Sequence, residues 1–189
     1  NHYGADNVTI IGVSLGGELC MRAAAMEPRI RRVVSWSVLP SIYGALMADK
    51  PAEIRAKLEH WLDENNRDAI LDLYAGLAER EPLFRWSIQH SNYAYGTSDV
   101  YEYLQKARAF TMEPVAEQIT QDVLLLSARE DLLVDFGLYK QEIDLLKNTR
   151  SLEFAVPGRA LNGQAHCNMG NTKYMLDLIL NWNDRMLER

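Results

Sequence analysis

A β-branched run, Val8-Thr9-Ile10-Ile11, leads into Gly12-Val13-Ser14-Leu15-Gly16-Gly17, and a stretch of helical character with Ala23, Ala24 and Ala25 follows from Leu19 to Met26. The first segment favours a buried strand and the last favours helix, so a sharp turn must join them. Glycines two residues to either side of Ser14 let strand and helix approach where side chains would clash. Pro28 then closes the helix, and Ile30 to Val38, with Val33, Val34, Trp36 and Val38, reads as a second strand buried on both faces.

The same alternation returns late in the chain. Asp122 to Ser127, with Val123-Leu124-Leu125-Leu126, predicts a third strand, and Ser151 to Val156, closed by Pro157-Gly158, a fourth. Helical pattern separates them from Phe136 to about Asn148, and a final amphipathic helix is predicted from Thr172 to about Leu187. Strands alternating with helices imply a parallel α/β sheet. Between the second and third strands lies an insertion too long for one crossover helix. Residues 40–119 read as nearly all helix, with Pro51, Asp68, Pro82 and Ser98-Asp99 as start signals. The expected organisation is therefore a sheet core of residues 1–39 and 120–189, and a helical cap, 40–119, inserted between its strands over the sheet edge where open α/β folds bind ligands.

The Gly-x-Ser-x-Gly pattern has chemical meaning because of where it lies, between a strand and a helix. A strained turn lifts a serine hydroxyl clear of the sheet, and the Leu15 N–H, at the helix N-terminus, can donate to a developing oxyanion. Ser14 then needs a base, and the base needs a partner that fixes its tautomer. Of His2, His60, His90 and His166, only His166 follows a late strand, in the polar, glycine-punctuated loop Asn162-Gly163-Gln164-Ala165-His166-Cys167-Asn168-Met169-Gly170. Asp131 follows the third strand and is the expected acid, with Glu130 and Asp135 as neighbouring competitors. Cys20 reads as a small core residue, and Cys167 as a thiol pointing away from its neighbour His166.

With a net charge of −6, the chain would be repelled by nucleic acid and by anionic membranes. A small-molecule or short-peptide substrate is expected instead, with neither nucleic acid nor membrane as a partner; a homodimer is left open. No apolar run approaches the ~20 residues of a membrane span. The start carries no charged-then-apolar leader, and its two cysteines fit neither a disulfide framework nor a zinc site. A cytoplasmic protein without cofactor or metal is the expectation.

Taken in order, Gly12 to Gly17, Val123 to Asp131 and Ala165-His166-Cys167-Asn168-Met169-Gly170-Asn171 resemble the nucleophile elbow, acid segment and histidine loop of the α/β-hydrolase family. The histidine loop is similar to that of the branch holding dihydropseudooxynicotine hydrolase and acylaminoacyl-peptidase-like or esterase-like proteins. The resemblance implies a serine hydrolase with Ser14 as nucleophile, His166 as base and Asp131 as its orienting acid, acting on an ester, an acylated amino acid or peptide, or a ketone cleaved at a C–C bond. It also implies a larger sheet, of which this chain holds the C-terminal half, about four strands, so a longer parent enzyme is expected. The second oxyanion donor would then lie in the missing part, and the first strand would show an unpaired apolar edge. Loss of one such donor typically slows turnover ~10²–10³-fold. The rival expectation is a binding module of the same fold whose triad is vestigial.

Overall fold

A computed structural model describes residues 5–48 and 50–189. The chain divides into two compact units, Asn1–Ala48 with Thr111–Arg189, and Asp49–Phe110. In the first, strands β1 (Val8–Val13), β2 (Ile30–Trp36), β3 (Asp122–Leu126) and β4 (Ser151–Ala155) form one sheet in the order β1-β2-β3-β4. Every neighbouring pair is parallel. Helix α1 (Leu15–Met26) connects β1 to β2 and α7 (Gly137–Leu145) connects β3 to β4.

Both crossover helices cover one face of the sheet, as crossovers of one hand between successive neighbours require. There Cys20, Met21 and Ala24 of α1 and Tyr139 of α7 pack with Val33, Val123 and Leu125. The alternate strand residues, Val34, Trp36, Leu124 and Leu126, point to the other face, where α8 (Thr172–Leu187) lays Met175, Ile179, Trp182 and Met186 against them. The period-two alternation explains why the strands are apolar on both sides. Two acids are buried on the α1 and α7 side: Glu18 in the first turn of α1 and Glu142 on α7 are both fully buried, with Ser35 of β2. β1 stands at the end of the strand order, and its Ile11 and Val13 are exposed.

Helix α2 (Ile42–Ala48) belongs to the sheet-bearing unit and buries Ile42 and Met47. The second unit comprises α3 (Ala52–Asp63), α4 (Arg67–Arg80), α5 (Pro82–Tyr95) and α6 (Val100–Ala109). Pro82 opens α5, and Asp99 caps α6 by accepting from the Glu102 N–H at 3.0 Å. Asp68 does not cap α4. Asn66 does so, its side chain accepting from Ala69 N–H at 3.3 Å, while Asp68 lies in the first turn, where a negative charge suits the helix dipole. Among the described residues, no helix is long and apolar enough to cross a membrane.

Candidate active site

Ser14 stands alone between β1 and α1 at φ 56°, ψ −123°, a strained conformation for a residue with a side chain. Its N–H donates to the Trp36 carbonyl at 2.8 Å and its carbonyl accepts from Gly17 N–H at 2.8 Å, which pins the turn to β2 and to α1. The need for glycine falls differently from the expectation. A Cβ on Gly12 would lie 1.8 Å from the Gly16 carbonyl oxygen, and one on Gly17 would lie 2.6 Å from the Ser37 carbonyl oxygen, but a Cβ on Gly16 would meet nothing within 4 Å. The close approach therefore depends on Gly12 and Gly17, and Gly16 contributes through its backbone.

The C-terminal ends of the strands bring three distant residues together. Ser14 Oγ and His166 Nε2 are 2.9 Å apart. His166 Nδ1 is 2.8 Å from Asp131 Oδ2 and 3.0 Å from Oδ1. Oδ1 also accepts the N–H groups of Leu133 and Val134, at 2.8 and 3.0 Å. Burial works against the Asp131 charge, but the hydrogen bonds from His166, Leu133 and Val134 outweigh it and hold the carboxyl below its ordinary range. The same carboxylate, and after it the Cys167 thiol, raises His166 well above the usual imidazole value, so the thiol faces its neighbour and does not point away as expected. The competing acids are engaged elsewhere. Glu130 accepts from Arg159 Nε at 2.6 Å, and Asp135 accepts from Gly137 N–H at 2.7 Å, at the start of α7.

The histidine loop is held by a residue whose role the sequence did not disclose. Asn168, fully buried at φ 52°, accepts from Trp36 Nε1 at 3.2 Å and donates to the carbonyls of Ser127 and Gly163 at 3.1 and 2.5 Å. It ties the loop to β2 and to the end of β3, and Cys167 beside it is also left-handed and buried. Ser37, at the end of β2, is a second such residue, donating to Asp131 Oδ2 at 3.2 Å. Leu15 opens α1, so its N–H is one of the first-turn amides that lack an intrahelical acceptor. Leu15, Leu39, Ile42, Ala45, Leu46, Leu133 and Val134 line a cavity of about 180 Å³ that opens onto Ser14 and His166.

The remaining candidates lie elsewhere. His60 is on α3, and His90 is on α5 stacked on Trp86 at 5.1 Å; His2 falls outside the described residues. Cys20 donates to the Gly17 carbonyl at 3.1 Å, and burial pushes its thiol up to about 12, the behaviour of a core residue. Among the described residues, no three His, Cys, Asp or Glu side chains are grouped to hold a metal.

Residues 1–159 match the family described as "alpha/beta hydrolase fold", and the chain belongs to that family. It is similar to the hydrolase LUC6 of a Fusarium species, 27% identical over 109 residues that cover 57% of this chain and 25% of that protein. Among solved structures it resembles GrgF, an alpha/beta hydrolase of Penicillium sp. sh18, with TM-score 0.60 and 13% identity over 96% of this chain and 64% of GrgF. It also resembles 2,6-dihydroxy-pseudo-oxynicotine hydrolase, with TM-score 0.55 and 19% identity over 86% of this chain and 35% of that one. At these identities the structural likeness speaks for the fold. The chain spans about a quarter of the length of the curated relatives it matches.

Proposed function

We propose that the chain carries the catalytic end of a serine hydrolase that transfers an acyl group to water. The observation that carries this reading is the continuous hydrogen-bonded line from Ser14 Oγ through His166 to Asp131. In the proposed reaction Ser14 Oγ attacks a carbonyl carbon while Nε2 of His166 takes its proton. The resulting oxyanion is met by the Leu15 N–H at the start of α1. The imidazolium, stabilised by Asp131, then gives its proton to the leaving group as the acyl–enzyme forms. Water enters, His166 takes one of its protons, and collapse of the second tetrahedral species releases the acid and returns the proton to Ser14.

The cavity beside Ser14 supports an apolar group on one side of the scissile bond, since every lining residue other than Ser14 and His166 is a Leu, Ile, Val or Ala. Esters and acylated amino acids with short apolar acyl groups are the proposed substrates. A diketone cleaved at a C–C bond is separated from them by assaying it beside p-nitrophenyl esters. Fluorophosphonate labelling, read by peptide mass spectrometry with Ser14→Ala as control, tests the nucleophile. An adduct on Ser14 is expected. Absence of any adduct, in this chain and in a longer parent product alike, would sink the reading in favour of a binding module.

A further inference from the structure

β2 does not continue to Val38 as its composition suggests. At Ser37 the backbone turns to φ 79°, the left-handed region in which a residue with a Cβ is strained. The side chain is nonetheless enclosed, with Ser37 only 2% exposed. Its contacts reach the end of β3, the first turn of α1, Asp131 and His166. The N–H donates to the Leu126 carbonyl at 2.9 Å, at the end of β3. The carbonyl oxygen lies against Gly17, where a Cβ would come within 2.6 Å. The hydroxyl donates to Asp131 Oδ2 at 3.2 Å, and the same oxygen is 3.5 Å from His166 Nδ1.

A hydroxyl has one hydrogen and two lone pairs. With the hydrogen committed to Asp131, the oxygen presents its negative end to the imidazole ring. That orientation favours a carboxylate on one side and an imidazolium on the other, the charge pair formed when His166 takes a proton from Ser14. Asp131 has room for the contact. Its Oδ1 accepts from Leu133 and Val134 and lies 3.0 Å from His166 Nδ1, whereas Oδ2 meets, among the described residues, His166 and Ser37. The other titratable group against the ring is the Cys167 thiol.

We infer that Ser37 is a positioning residue of the site, its hydroxyl held by the left-handed turn so that it bridges Asp131 and His166 and strengthens their ion pair. The inference rests on the proposed roles of Ser14, His166 and Asp131.

Two variants separate the hydroxyl from the turn. Ser37→Ala removes the hydroxyl and keeps the strain, while Ser37→Gly removes both and relaxes the backbone. The His166 imidazole is followed by NMR titration, its signal assigned through its loss in His166→Asn, and ester hydrolysis is measured alongside. Both variants are expected to lower the imidazole pKa by roughly half a unit or more, because each removes the same lone pair from beside Nδ1. Both are expected to lower kcat roughly tenfold with KM nearly unchanged. A pKa that stays put or rises overturns the inference, and so does a glycine variant with wild-type kcat, which would leave the backbone turn as the residue's whole role. If the wild type proves no faster than Ser14→Ala, the acyl-transfer reading fails separately, and the titration still decides whether the Ser37 hydroxyl supports the ion pair.

Discussion

Two sets of buried carboxyl groups in the sheet-bearing unit meet opposite fates. Asp131, at the ends of the strands, accepts from two backbone N–H groups, the Ser37 hydroxyl and His166, and is held below its ordinary range. Glu18 and Glu142, between α1, β2 and α7, are just as enclosed but poorly served. The nearest cation to Glu18 is Arg22 at 3.6 Å, and burial pushes this carboxyl up to about 7. Burial likewise pushes Glu142 up to about 8, with Ser35 and the Leu39 N–H pulling the other way and Glu18 adding to the rise. Burial alone therefore does not decide whether a carboxyl is charged; the number of donors aimed at it does. The donors around Asp131 favour a carboxylate where the proposed chemistry needs one, while burial favours the protonated form of the two acids in the core.

The largest effect should come from breaking the well-served side. Asp131→Asn preserves the shape but leaves His166 without the carboxylate that fixes its tautomer, and kcat on an ester is expected to fall by roughly 10⁴. The pH profile comes next. Because Asp131 raises the His166 pKa, the neutral base needed for attack appears only above the ordinary 6.5, so the acid limb of kcat/KM should lie on the alkaline side of that value. Below the limb the rate should drop about tenfold per pH unit.

The poorly served acids should be read in stability. A carboxyl with a raised folded-state pKa makes the folded state bind more protons than the unfolded one, so stability declines as pH climbs from 4.5 through about 8 for Glu142. Urea unfolding should show Glu142→Gln flattening that decline and gaining about 2 kcal/mol over wild type at pH 8.5. Glu18→Gln should gain less, about 1 kcal/mol, since Arg22 already eases its charge. A wild type equally stable at pH 5.5 and 8.5 would refute the contrast between the two sets of acids.

What could be read from the sequence was whatever depends on backbone demands and chain order. The elbow around Ser14 needs Gly12, the strands need β-branched and aliphatic runs, and His166 and Asp131 each follow a strand, which puts them at one end of a parallel sheet. Ser37 and Asn168 were not legible, because a serine or an asparagine after an apolar run carries no sign of the left-handed turn it will adopt or of partners far away in sequence. Glu18 and Glu142 were not legible either, because a carboxyl on a helix carries no sign of the buried face it will occupy or of an acid neighbour far away in sequence. Gly17 was overshadowed by Gly16, since the pattern does not say which glycine faces Ser37.

Ser14, Ser37, Cys167 and Asn168 all take left-handed φ without being glycine. The site is thus a local concentration of conformational tension, and a search for heat-tolerant variants would be drawn to it, since glycine at these positions relaxes the chain. Each such gain would remove a hydroxyl, a thiol or an amide from the site itself. If the proposed reaction is right, a selection scored on survival at high temperature alone would return calm, durable and idle proteins, and screening for turnover at every round is the remedy.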